Sequence, residues 1–168
     1  MRFTTLSLIF AGLLTGCVSN TPTTPNVTEN NVSSFYDYQL HDPSGEVISV
    51  NQLPPELQQA DVILIGEWHT HAGVHRFQTD MLKQLSSANR PLALSMEQVT
   101  RDKQVILDSY LNGEIGEQYF MKQSNAWPNY ESDYRPLVEL AKQAEIPVIA
   151  SNAPKDIVRC IGRQGIDY

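Results

Sequence analysis

Cysteine is almost absent from this sequence: two residues in 168, Cys17 and Cys160. Two thiols give no disulfide framework, so the fold has to rest on a packed core. Basic residues are also scarce, with 12 Lys and Arg against 19 Asp and Glu and a formal net charge of −7. The scattered cations form no basic face of the kind nucleic acid requires, which excludes that class of partner. Nor does any run approach the roughly 20 apolar residues of a membrane-spanning helix. Two catalytic signatures are missing as well: Ser95 lacks the G-x-S-x-G elbow, and no H-E-x-x-H zinc helix occurs.

At the N-terminus, Arg2 precedes a short apolar stretch from Leu6 to Leu14, closed by Leu14-Thr15-Gly16-Cys17. This is the pattern of a bacterial lipoprotein signal. Residues 1–16 are expected to be removed and Cys17 to carry the lipid. Val18 replaces the Asp that commonly retains such proteins in the inner membrane, which directs the expectation to the outer membrane. Removal of the signal takes away only Arg2 of the 12 basic residues, leaving 11 against 19 acidic ones, a formal −8. Residues 17–34 are rich in Thr, Asn, Ser and Pro and hold no aromatic residue. They cannot bury enough apolar surface to offset their ordering entropy, so a disordered tether is expected, with the folded part over 35–168. Cys160 reads as a small residue on a helix.

Within 35–168, Tyr36 to Val50 suggests a hairpin turning at Asp42-Pro43-Ser44-Gly45. Pro54-Pro55 opens a brief helical turn. Three apolar runs, Val62 to Gly66, Pro91 to Met96 and Ile146 to Ser151, read as buried strands ending in Glu67, Glu97 and Asn152. Val74, Phe77, Met81 and Leu85 recur at helical spacing after Thr70, a candidate N-cap. A long helical insertion, about 99–145, separates the second and third strands. Strands alternating with helices predict an α/β fold, a parallel sheet flanked by helices with a small helical insertion. Only a short helix, Lys155 to Ile161, follows the third strand, fewer elements than such sheets usually carry, so the sequence is expected to be C-terminally truncated.

The chemistry concentrates in Asp61 to Gln78, DVILIGEWHTHAGVHRFQ, where an apolar run ends in Gly66 and is followed by Glu67, His69, His71 and His75. Open α/β sheets hold ligands at such strand ends. His71 and His75 lie four apart, on one helix face, with Gln78 continuing the stripe. Imidazoles so spaced beside a carboxylate suit a metal ion. Glu67 and His69 equally suit proton transfer, with Glu97 facing them from the next strand. The third reading is structural, the carboxylates capping backbone amides and His75 hydrogen-bonded at a helix edge. In the insertion, Tyr110, Tyr119, Trp127, Tyr130 and Tyr134 offer an aromatic lining for a flat ligand. Tyr134 precedes Arg135; a phenol beside a guanidinium ionises more easily, and a phenolate ligates ferric iron.

The segments GEWHTHAGVHRFQ, SMEQVTRDKQVILDSYLNGEI, DYRPLVELA and PVIASNAP, in this order behind a lipobox, resemble the ChaN-like haem-binding lipoproteins, iron-regulated proteins associated with haem uptake. The likeness runs from about Val62 to Arg163 and implies a parallel sheet with helices and a smaller helical domain. It also implies two haems face to face at a homodimer interface, a tyrosine of one subunit on iron, and histidine and lysine of the other against propionates. Here it points to Tyr134 as the iron ligand, Tyr130 next, and His69, His75 and Arg135 in the cofactor site. A more distant likeness, to esterases that inactivate macrolide antibiotics, brings Glu67, His69 and Glu97 forward as an active site.

The expectation is therefore a lipid-anchored haem-binding protein of the outer membrane, on its periplasmic face, that takes part in haem uptake by reversible ligation. An outer-membrane haem receptor is an expected partner. The alternative is a Glu/His-dependent, metal-assisted hydrolase.

Overall fold

The computed structural model describes residues 32–88 and 90–166. The expected signal, the lipidated Cys17 and most of the tether lie outside them. The hairpin is present, reduced to β1 (Leu40–His41) and β2 (Val47–Ile48), antiparallel with Leu40 opposite Ile48. Asp42 ties its turn by accepting from the Ser44 and Glu46 amides. Next comes α1 (Pro55–Gln59), with proline in its first turn as proline's missing N–H allows.

No strand forms over Val62–Gly66. Among the described residues no backbone hydrogen bond joins this stretch to a neighbour, and Val62 and Leu64 are 74% and 91% exposed. The composition suits a strand covered on both sides, but composition alone supplies no partner. The run still leads through Glu67 to the start of α2 (Ala72–Ser86). The N-cap of α2 is His71 rather than Thr70: its ring Nδ1 accepts from the Val74 amide at 3.3 Å. The buried face is also rotated from the expected apolar stripe. It runs through Gly73, His75, Gln78, Met81 and Leu82, so two polar side chains go inward.

Strand β3 (Leu94–Thr100) continues four residues past the expected end, and β4 (Val148–Asn152) pairs with it in parallel. Leu94, Ser95 and Met96 oppose Val148, Ile149 and Ala150; the register then breaks before Thr100 meets Asn152. Such irregularities re-aim side chains, and Gln98 lies in this one. Between the strands come α3 (Gln104–Leu111), α4 (Glu117–Ser124), a single π turn (Tyr130–Tyr134) and α5 (Arg135–Gln143). Helix α6 (Lys155–Gln164) follows β4 and carries half-buried Cys160. The fold is α/β, with a parallel pair and a helical insertion as the sequence predicts. No helix among the described residues is long and apolar enough to cross a membrane.

The core lies between the inner face of β3–β4 and the helices. Leu107, Phe120, Val138, Ala141 and Ala150 are fully buried there, with Met96, Val99, Tyr134 and Val148 nearly so. Full burial of a Leu or Phe side chain contributes about 1.5–3 kcal/mol, so these few residues hold the insertion on the sheet. The outer face, with Ala93, Ser95, Glu97, Ile149 and Ser151, is exposed, so helices flank one side of the sheet among the described residues. Gln104 protects the free edge of β4 as a strand would: its amide donates to the Val148 carbonyl at 2.8 Å and accepts from the Ala150 N–H at 2.7 Å.

Gly73 locks the entry to α2. A Cβ there would sit 2.9 Å from the Asp37 carbonyl oxygen and 3.4 Å from that of Phe35. Alanine favours a helix over glycine by about 1 kcal/mol, but overpacking against fixed backbone costs about 1–3 kcal/mol. Gly73→Ala is thus expected to destabilise the fold by up to about 2 kcal/mol in urea unfolding. A stabilised variant would show that the 35–37 segment yields freely.

Candidate functional site: a carboxylate shared by four segments

Glu67 stands just before the turn that leads into α2, its side chain 10% exposed. Its Oε1 accepts from His69 Nδ1 at 2.8 Å, Gln98 Nε2 at 2.9 Å and the Tyr134 hydroxyl at 2.8 Å. Its Oε2 accepts from Gln78 Nε2 at 2.7 Å. The turn, α2, β3 and the π turn therefore converge on one carboxylate. Burial opposes its ionisation, but the donors Gln78, His69 and Tyr134 outweigh burial and hold the carboxyl below its usual range. Tyr134 moves the other way. Its burial, its bond to Glu67 and that group's charge all favour the neutral phenol.

This arrangement corrects the expected influence of Arg135. Neighbouring residues on a helical backbone do not face each other. The guanidinium turns away from the Tyr134 hydroxyl, pairing through Nε with Glu117 and through Nη2 with Glu131 at 2.6 Å. Tyr130 stands apart too. It is 3% exposed, edge-on to Phe120 at 5.5 Å between centroids, and its hydroxyl is without a partner among the described residues.

Glu97, expected to face Glu67, is exposed on the opposite face of β3. Its neighbour Gln98 takes that place, because the strand continues and alternation puts Gln98 on the inner face with Met96. Alternation carried two residues further was the signal for Gln98. Asn129 and Asp133 had no local signal: Asn129 Nδ2 donates to the His69 carbonyl and to Asp133 Oδ2 across a separation of 60 residues in the first case.

His75 supports the site from beneath. It is 3% exposed, with Nδ1 bonded to Gln78 Oε1 at 3.0 Å and Nε2 to the His69 carbonyl at 3.1 Å. Its ring packs edge-on against Tyr134, 4.7 Å between centroids. A cavity of ≈ 350 Å³ adjoins it, lined by Tyr36, Arg76, Thr79, Asp80 and Asp133 among others. Above, His69 is 54% exposed and meets Trp127 edge-on at 4.8 Å, while Trp68, 77% exposed, tilts over His71. Among the described residues no three His, Cys, Asp or Glu side chains converge as a cation site.

The model of a haem-binding uptake family, described as Tiki superfamily, ChaN, matches residues 53–168. The chain belongs to this family. The match covers α1 to α6 and every member of the Glu67 network, so the ChaN family assignment and the site describe the same part of the molecule. No curated protein and no solved structure matches the chain.

Proposed function

We propose that this ChaN-family chain binds haem at the exposed lip of the Glu67 network and serves haem uptake from a lipid anchor at the outer membrane. The family's haem-binding character supports the ligand, and the lipobox ending in Cys17 supports the anchor. A periplasmic orientation, a homodimer sharing haem, and a receptor that exchanges it complete the proposal.

The observation that carries the reading is the chemistry at the lip. A half-exposed imidazole, His69, is held by a carboxylate and walled by Trp127, with Trp68 and His71 beside it in the same turn. An exposed indole, a partly buried one and an imidazole fit the face of a flat porphyrin. The expected ligand Tyr134 fits poorly as it stands, being 1% exposed with its hydroxyl committed to Glu67.

The only two tryptophans, Trp68 and Trp127, both flank this site. Titrating ferric haem into the full chain is therefore expected to give a saturable Soret absorbance together with quenching of tryptophan fluorescence. Non-saturable uptake would count against the proposal. The Glu67–His69 bond of 2.8 Å also suits acid–base hydrolysis. Ester turnover that vanishes in His69→Ala, without saturable haem binding, would favour that alternative.

A further inference from the structure

We propose that the cavity of ≈ 350 Å³ beside His75 is a second ligand site, and that it takes a small organic monocation, an amine on a compact apolar body. The site is separate from the lip, since none of Glu67, Trp68, His69 and Trp127 lines it. Its walls come from α2, the π turn, the start of α5 and the segment before β1. The volume lies at the lower end of the roughly 300–1,000 Å³ of small-molecule sites.

The hydrogen bonds already made on this lining decide what an occupant has to offer. Thr79 Oγ1 donates to the His75 carbonyl at 3.1 Å, and Ser132 Oγ donates to the Asn129 carbonyl at 3.2 Å. Both ring nitrogens of His75 are engaged as well, with Gln78 and the His69 carbonyl. What remains for a ligand is oxygen: the lone pairs of two hydroxyls and the carboxylates of Asp80 and Asp133, which only accept. A ligand rich in donors is matched.

The charges give the sign. Asp80 is answered, because its Oδ2 accepts from the Tyr38 hydroxyl at 2.9 Å and faces Arg76 Nε at 3.5 Å. Asp133 is not. Its side chain is 13% exposed, its Oδ2 accepts from the neutral amide of Asn129 at 2.7 Å, and no Lys or Arg among the described residues pairs with it. The nearest imidazole nitrogen, His75 Nε2, lies 3.9 Å away and is bonded to the His69 carbonyl. Arg76 is the only Lys or Arg on the lining, so an anion would meet two carboxylates, whereas an ammonium brings donors and charge together. Around it Tyr36, 62% exposed, offers a ring face to the cation or its apolar body, and Ala72 and Pro136 add apolar surface.

The test titrates phenethylamine into the haem-free full chain, with phenylacetate and 2-phenylethanol as anionic and neutral probes of similar shape, and follows backbone amide shifts by NMR. Phenethylamine is expected to bind saturably and to shift the amides of Ala72, Thr79 and Asp133. The other two probes are expected to bind about 10–100-fold more weakly, the loss of one charge-assisted hydrogen bond. Asp133→Asn keeps the size of the side chain without its charge and is expected to lower amine affinity by a similar factor. Tyr36→Ala, at an exposed position, is expected to lower it a few-fold, and Glu97→Gln on the outer face of β3 to leave it unchanged. Circular dichroism checks that each variant folds. Equal binding of the three probes, shifts confined to the lip around His69 and Trp127, or an affinity unaltered in both Asp133→Asn and Tyr36→Ala overturns the proposal.

Discussion

Glu67→Leu is expected to destabilise the fold by about 3–5 kcal/mol, the usual cost of deleting one partner from a buried charged network. The reason lies in the donors left behind. Gln78 Nε2, Gln98 Nε2, the Tyr134 hydroxyl and His69 Nδ1 all end on this carboxylate. Leucine accepts nothing, and each buried donor without a partner costs about 1–3 kcal/mol. Half-exposed His69 recovers a partner from water, whereas the groups beneath it stay enclosed. Urea unfolding is expected to show a lower midpoint with an unchanged slope. A loss below about 1 kcal/mol would mean that the four segments are held by apolar packing alone and that the network is incidental.

The same carboxylate gives a pH dependence of defined sign. Its folded-state pKa lies below its ordinary 4.5. The unfolded chain therefore binds the proton more readily, and the contribution is fully present above about pH 4.5, then lost as pH falls through the folded value. Glu67→Leu is expected to flatten this part of the acid-unfolding profile.

Local pattern made the helices legible, because their periodicity and breakers act over a few residues. Proline at the start of α1 and α5, and Asn125 in the left-handed conformation at the end of α4, each act within one turn. The family motifs were legible too, and they span the segments that meet at Glu67. Contacts that depend on packing were not. Tyr134 is 67 residues from Glu67, and nothing in D-Y-R-P says that the phenol faces a carboxylate while the adjacent guanidinium turns away. Assigning the end of β3 too early placed Glu97 at the site, although a one-residue change of face decides between Glu97 and Gln98. Val62–Gly66 has the composition of a strand without a partner to pair with. The strand expected there does not form, since pairing belongs to the sheet rather than to the segment.

Phe120→Ala is expected to cost about 3–5 kcal/mol, in the range for deleting a buried aromatic ring. The ring is fully buried, stacked on Tyr110 at 4.8 Å with 9° between planes and met edge-on by Tyr130 at 5.5 Å. Its contacts join α4 to α3 and to the π turn, so the loss falls on the part of the insertion that presents Tyr134 to Glu67. In thermal unfolding followed by circular dichroism, the midpoint is expected to fall by roughly 10–20 °C for a domain of this size. Phe120→Leu fills more of the space and is expected to recover over half of that loss. A fall of only a few degrees in Phe120→Ala would show that the insertion does not fold as one unit with the sheet. The placement of Trp127, Asn129 and Tyr134 over the site would then rest on the Glu67 and His69 hydrogen bonds, and Glu67→Leu would release the whole insertion.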